Sequence, residues 1–124
     1  MLGFVKSEEL KYLISHAKAM IYASLMGPNN LPPMEAVYLG CPVIITDIIG
    51  HREEMKDAAF FFDGYDENDL AEKMYTVLTD SKQVEEKIKK GNALAEEFRK
   101  INYMDTMIEI FSDFEKKLEC WSET

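Results

Sequence analysis

The sequence predicts an α/β domain built on a parallel sheet of about four strands, with flanking helices and a helical C-terminus. Three observations carry this. Four short apolar segments, at residues 3–5, 19–24, 42–46 and 58–62, are separated by segments with helical features. These segments are apolar throughout rather than alternating, as in strands covered on both faces of a parallel sheet. From residue 66 onward the pattern is helical to the end.

The elements follow in order. Gly3-Phe4-Val5 reads as the end of a strand. Ser7 precedes Glu8 and Glu9, a capping residue followed by first-turn acids, and Leu10, Leu13, Ile14 and Ala17 recur at helical spacing. Residues 19–24 form an apolar strand that Gly27, Pro28, Asn29 and Asn30 break. Pro32 and Pro33 suit a helix start, which places Glu35 in the first turn, and Gly40 suits the C-terminal cap. Residues 42–46 form the next strand, 47–50 a loop, 51–55 a short helix and 58–62 the last strand. Asp66 caps a helix bearing Leu70, Met74, Val77 and Leu78. Ser81 caps another, with Val84, Ile88, Leu94 and Phe98, in which Gly91 weakens but need not end the helix. Asn102 caps a third, bearing Met104, Met107, Ile108, Phe111, Phe114 and Leu118. Each stripe reads as core packing. The whole is a doubly wound, Rossmann-like arrangement, and ligands in such sheets bind beyond the C-terminal strand ends. Those ends lead into residues 24–32, 47–50 and 63–66.

Composition narrows the function. The 124 residues fit one domain, and 47% hydrophobic content is enough for a core. With 23 carboxylates against 14 Lys and Arg, the net charge is −9. Such a chain lacks the cationic surface that non-specific nucleic-acid binding requires, or that would hold it on an anionic membrane. No apolar run reaches the ~20 residues of a membrane span. Cys41 and Cys120 lie far apart, and His16 and His51 are the only histidines, so no metal site is expected and the protein is expected to be cytosolic and reduced.

The informative stretch runs from Ser24 to Ala36. A strand end feeds a Gly-containing loop and then a helix start, a place that favours a phosphate or another anion. A carboxylate at Glu35 can accept two hydrogen bonds from vicinal hydroxyls, as in a ribose. It can equally be an acid that complements the helix dipole.

Leu31-Pro32-Pro33-Met34-Glu35-Ala36, followed by Gly40-Cys41-Pro42-Val43-Ile44-Ile45-Thr46-Asp47, resembles the signature of retaining GT-B glycosyltransferases of the bacterial glycosyl transferases group 1 family, surface-polysaccharide type. Gly3-Phe4-Val5, residues 57–63 and Asp69-Leu70-Ala71 resemble the flanking blocks, so the resemblance covers about residues 3–115. It implies that Glu35 is the second glutamate of a Glu-x7-Glu motif and binds the donor ribose. It implies that the backbone N–H of Leu31 approaches the donor phosphates, that Gly27, Pro28, Asn29 and Asn30 hold the donor sugar, and that Val5 meets the nucleotide base. The implied donor is a UDP-sugar, which is a substrate, so that no cofactor is implied, and the implied acceptor is a lipid-linked saccharide of a surface polysaccharide such as O-antigen or lipopolysaccharide.

Departures from the pattern bear on the sugar loop. Gly27 stands where the first glutamate belongs, and Gly27-Pro28-Asn29-Asn30 replaces Glu-Gly-Phe-Gly. Asn29 or Asn30 can serve as neutral partners for sugar hydroxyls, or simply form a turn. Ile49-Gly50 replaces a Gly-Gly pair. Arg52 and Glu53 read as structural, His51 is not taken as a catalytic base, and Cys41 is a small buried position. The resemblance further implies that an N-terminal acceptor domain, two leading strands and the cations that neutralise the diphosphate lie outside the chain. On this reading the chain alone is inactive and works in the cytoplasm, the intact protein at the inner membrane face. The strand at 19–24 is then an apolar edge, and copies are expected to dimerise through it or by exchanging the N-terminal strand and helix. The alternative reading is a non-catalytic nucleotide-binding or scaffold domain.

Overall fold

A computed structural model describes residues 3–26, 30–101 and 103–122. The helices are α1 (Ser7–His16), α2 (Leu31–Tyr38), α3 (Ile49–Met55), α4 (Glu67–Thr79), α5 (Ser81–Arg99) and α6 (Tyr103–Ser122). The strands are β1 (Met20–Tyr22), β2 (Val43–Thr46) and β3 (Phe60–Phe62). They pair in the order β1-β2-β3, all parallel, with Ile21 opposite Ile44 and Ile45 opposite Phe61.

β2 is buried at every residue, as a central strand covered on both faces must be. Its alternation splits the core. Val43 and Ile45 face Ile14, Met34, Ala36, Val37, Met55 and Ala95. Ile44 faces the other way, with Phe60, Phe62, Leu70, Val77 and Val84. The α/β class with helices on both sides of a parallel sheet is therefore as the sequence predicts.

Among the described residues three strands pair where about four were expected. Residues 3–6 form no ladder: Gly3 has φ +67° and Phe4 is 97% exposed. A strand at that place needs a neighbour to bond, and among the described residues β1 pairs only with β2. β1 is thus an edge, as expected for the strand at 19–24.

Local chemistry explains several helix ends. α2 ends in a Schellman motif: Gly40 takes φ +71°, its N–H donates to Val37 O at 3.1 Å, and Cys41 N–H donates to Ala36 O at 2.9 Å. Asp66 caps α4 by accepting from Asn68 N–H at 2.9 Å. α1 begins after Lys6 rather than at a Ser7 cap, and the Glu9 carboxylate accepts from the Lys6 N–H at 2.9 Å. The cap of α5 is Asp80, one residue before the expected Ser81, because its carboxylate reaches Gln83 N–H at 3.0 Å. α5 runs unbroken through Gly91. A Cβ there would stand 3.2 Å from Val37 Cγ1, so the glycine lets α5 pack closely on α2.

The apolar stripe of α6 does not pack as a core. Met104, Met107, Ile108, Phe111 and Phe114 are all exposed. Likewise Met74 and Leu78 of α4 are exposed, while Leu70 and Val77 pack on the sheet. Asn102 and the side chain of Leu118 lie outside the described residues. Among the described residues no helix is long and apolar enough to cross a membrane.

Candidate functional site

The three strand ends converge. Thr46, the last residue of β2, donates its hydroxyl to Ser24 O just beyond β1. Asp47 N–H donates to Phe62 O, the end of β3, at 2.8 Å. A Cβ on Gly64 would lie 2.5 Å from Leu25 Cδ2 and 3.0 Å from Thr46 Cγ2, so the loop after β3 packs closely on the ends of β1 and β2. This is the C-terminal edge of a parallel sheet, where such folds bind ligands.

α2 rises from that edge. Its first residue is Leu31, one earlier than the proline start predicted, which moves Glu35 out of the first turn. A carboxylate in the second turn gains less from the helix dipole, which acts mainly within the first turn. The dipole explanation of Glu35 is weakened accordingly. Pro32 and Pro33 carry no N–H, so the first turn offers backbone donors only at Leu31 and Met34. Leu31 itself is 70% exposed.

Glu35 is exposed and lines a cleft of about 340 Å³ between α1 and α2, with Ser7, Leu10, Lys11, Ile14, Tyr38 and Leu39. That volume falls within the range of small-molecule sites, and the lining is apolar with a few convergent polar groups. Val5 instead lines a separate cleft with Glu8, Glu9, Tyr12 and Leu13. The structure therefore does not bring Val5 and Glu35 into one cleft. Gly27, Pro28 and Asn29 lie outside the described residues. Asn30 is 6% exposed, and its Oδ1 accepts from the Tyr22 hydroxyl at 2.9 Å.

Beneath this edge lies a polar layer that the sequence did not announce. His51 is fully buried. Its Nδ1 stands 2.9 Å from Thr46 O and 3.1 Å from Thr46 Oγ1, and since a carbonyl oxygen only accepts, Nδ1 is the donor. His51 Nε2 is buried with no partner among the described residues. The ring meets the Tyr22 ring edge-on, with centroids 5.8 Å apart. A His at the start of a short helix carries no sequence signal of such burial.

Arg52 pairs with Asp47 through two hydrogen bonds and lies 4.7 Å over the Phe61 ring. The hydrogen bond from Arg52 holds the Asp47 carboxyl below its ordinary range. α3 begins at Ile49, so the loop expected at 47–50 shrinks to two residues held by this pair. Asp63 closes the third loop, accepting from Tyr65 N–H at 3.0 Å, while its own N–H donates to Asp69 at 2.8 Å. That bond, and then Lys73, holds Asp69 low. Burial pushes the Cys41 thiol up, away from the thiolate a nucleophile needs. Among the described residues no group of three His, Cys, Asp or Glu could hold a metal.

The parallel sheet, the meeting of its loops and the cleft beside α2 define a Rossmann-like α/β domain with its candidate site at the C-terminal strand edge. The sequence profile described as Glycosyl transferases group 1 matches residues 1–94. The chain belongs to that family, as the C-terminal part of a GT-B glycosyltransferase. It is 30% identical over 97 residues to O-antigen chain mannosyltransferase B of Escherichia coli, covering 78% of this chain and 26% of that protein. It is 36% identical over 63 residues to O-antigen chain mannosyltransferase RfbU of Salmonella typhimurium, covering 51% of this chain and 18% of that protein. The chain thus spans about a quarter or less of the curated relatives it matches. Its fold matches that of sucrose-phosphate synthase from Thermosynechococcus elongatus with a TM-score of 0.74 and 20% identity, over 96% of this chain and 30% of that one.

Proposed function

We propose that this domain binds the nucleotide-linked donor of a retaining glycosyltransferase that builds a bacterial surface polysaccharide. The observation that carries the reading is Glu35, set in the α1–α2 cleft within the stretch that resembles the family signature. Glu35 accepts from the ribose hydroxyls. Leu31 N–H and the positive end of α2 face the diphosphate. The loop Gly27-Pro28-Asn29-Asn30 sits beside the sugar. The departing diphosphate is stabilised electrostatically, by backbone donors here and by positive charge from the rest of the intact protein. The expected donor is a UDP-sugar. The names of the two relatives add mannose as the hexose to test and an O-antigen saccharide as the acceptor class.

The test is sugar transfer by the intact protein from a panel of UDP- and GDP-linked hexoses, mannose included, to a lipid-linked saccharide acceptor. Transfer from one donor, with retention at the anomeric carbon, supports the reading. Gly27 in place of an acidic residue favours a second reading, a nucleotide-binding scaffold without transfer. Nucleotide binding without turnover of any donor would favour that second reading.

A further inference from the structure

An Asn before a helix normally caps it by accepting from the N–H of the second or third helical residue. Here those positions are Pro32 and Pro33, which have no N–H, and Asn30 makes no side-chain cap bond to α2. Its side chain turns inward instead and accepts from Tyr22, eight residues earlier at the end of β1. Tyr22 is backed in turn by the buried His51 ring, which Thr46 anchors at the end of β2. A chain of contacts therefore runs from two strand ends to the backbone just ahead of Leu31. With both prolines silent, Leu31 carries the first backbone donor of the helix.

We propose that Tyr22 is a positioning residue for phosphate recognition, acting through Asn30 to fix the Leu31 N–H against the sheet edge. The proposal rests on the donor-binding reading above and adds a residue to it. Tyr22 touches no ligand on this account. Its hydroxyl holds the Asn30 side chain against the end of β1, and its loss releases that anchor ahead of Leu31.

The experiment is calorimetric titration of the intact protein with UDP and with uridine, for wild type, Tyr22→Phe, Asn30→Ala and the double variant. Tyr22→Phe removes one oxygen from a half-buried ring, and circular dichroism checks that the fold is kept. The expected result is a threefold to tenfold loss of UDP affinity, roughly the worth of one hydrogen bond. Uridine affinity stays unchanged, because the nucleoside does not meet Leu31 N–H. The double variant loses no more than the weaker-binding single variant, since both cut the same link. Wild-type UDP affinity in Tyr22→Phe, equal losses for UDP and uridine, or additive losses in the double variant would each overturn the proposal. Failure of the wild type to bind UDP would instead overturn the UDP-donor reading, and this proposal with it.

Discussion

Replacing Lys56 with glycine is expected to make the protein more stable, although Lys56 forms an ion pair. Lys56 has φ 47° and ψ −123°, a conformation that suits glycine and strains any residue with a Cβ. It is held there because residues 55–58 form a tight turn, with Ala58 N–H donating to Met55 O at 2.8 Å. Those angles fit the first corner of a type II′ turn, where glycine is preferred. Strain of this kind costs about 1–3 kcal/mol. Against it stand the larger unfolded-state entropy of glycine, about 0.4–1 kcal/mol, and the lost pair with Glu97. The pair's Nζ–Oε2 distance is 2.8 Å, but the two side chains are 56% and 63% exposed. Such a pair contributes about 0–1 kcal/mol. The balance is a gain of about 1 kcal/mol, or about 3–5 °C in melting temperature for a chain of this length. Differential scanning calorimetry of Lys56→Gly, with Glu97→Gln as the control for the ion pair, measures it. A midpoint equal to or below wild type, with Glu97→Gln neutral, would show that Lys56 stores no such strain.

Three further outcomes follow from the packing and the charges. Ile45→Ala, at a fully buried position on the central strand, is expected to cost about 2–5 kcal/mol; denaturant unfolding reads the loss, and a cost under ~1 kcal/mol would contradict the two-sided core. Gly91→Val places a branched side chain against Val37 and should lower the melting temperature by wedging α5 from α2; an unchanged melt would mean the two helices can separate freely. Asp47, Asp69 and Asp80 are each held below the ordinary carboxylate range, by Arg52, by Asp63 N–H and by Gln83 N–H respectively. Because the folded values are depressed, their stabilisation is fully present above the unfolded value of about 4 and is lost as pH falls through the folded values. The melting temperature should therefore drop below about pH 4, and Asp69→Asn should flatten that drop; parallel curves for the two proteins would contradict the assignment.

The parts legible in the sequence are those set by near neighbours. Val43-Ile44-Ile45 reads as a buried strand because all three residues are apolar, and it is buried on both faces. Asp66 and Gly40 announce a helix start and a helix end, and both act within a few residues of themselves. What sequence missed depends on the fold. Tyr22 meeting Asn30, and His51 set between Thr46 and Tyr22, exist only once β1, β2 and α2 are assembled. Glu35 was legible as a carboxylate on α2, but its place opposite Lys11 and Leu10 follows from where α1 lies. Lys56 was not legible because lysine gives no hint of a positive φ; the turn imposes it. The α6 stripe has core periodicity, yet its Met107 and Phe111 stay exposed, since periodicity says which face is apolar and not what covers it.

Nucleotide binding measures the proposed role of Glu35 directly. Calorimetric titration of the intact protein with UDP, wild type against Glu35→Ala, isolates the proposed ribose contact, because Glu35 is exposed and its removal leaves the core intact. Hydrogen bonds to a charged group contribute about 1.5–3 kcal/mol, so UDP affinity should fall by at least about tenfold with the melting temperature unchanged. Equal affinity in the two proteins, with the wild type binding UDP, would contradict the assignment of the α1–α2 cleft as the nucleotide site.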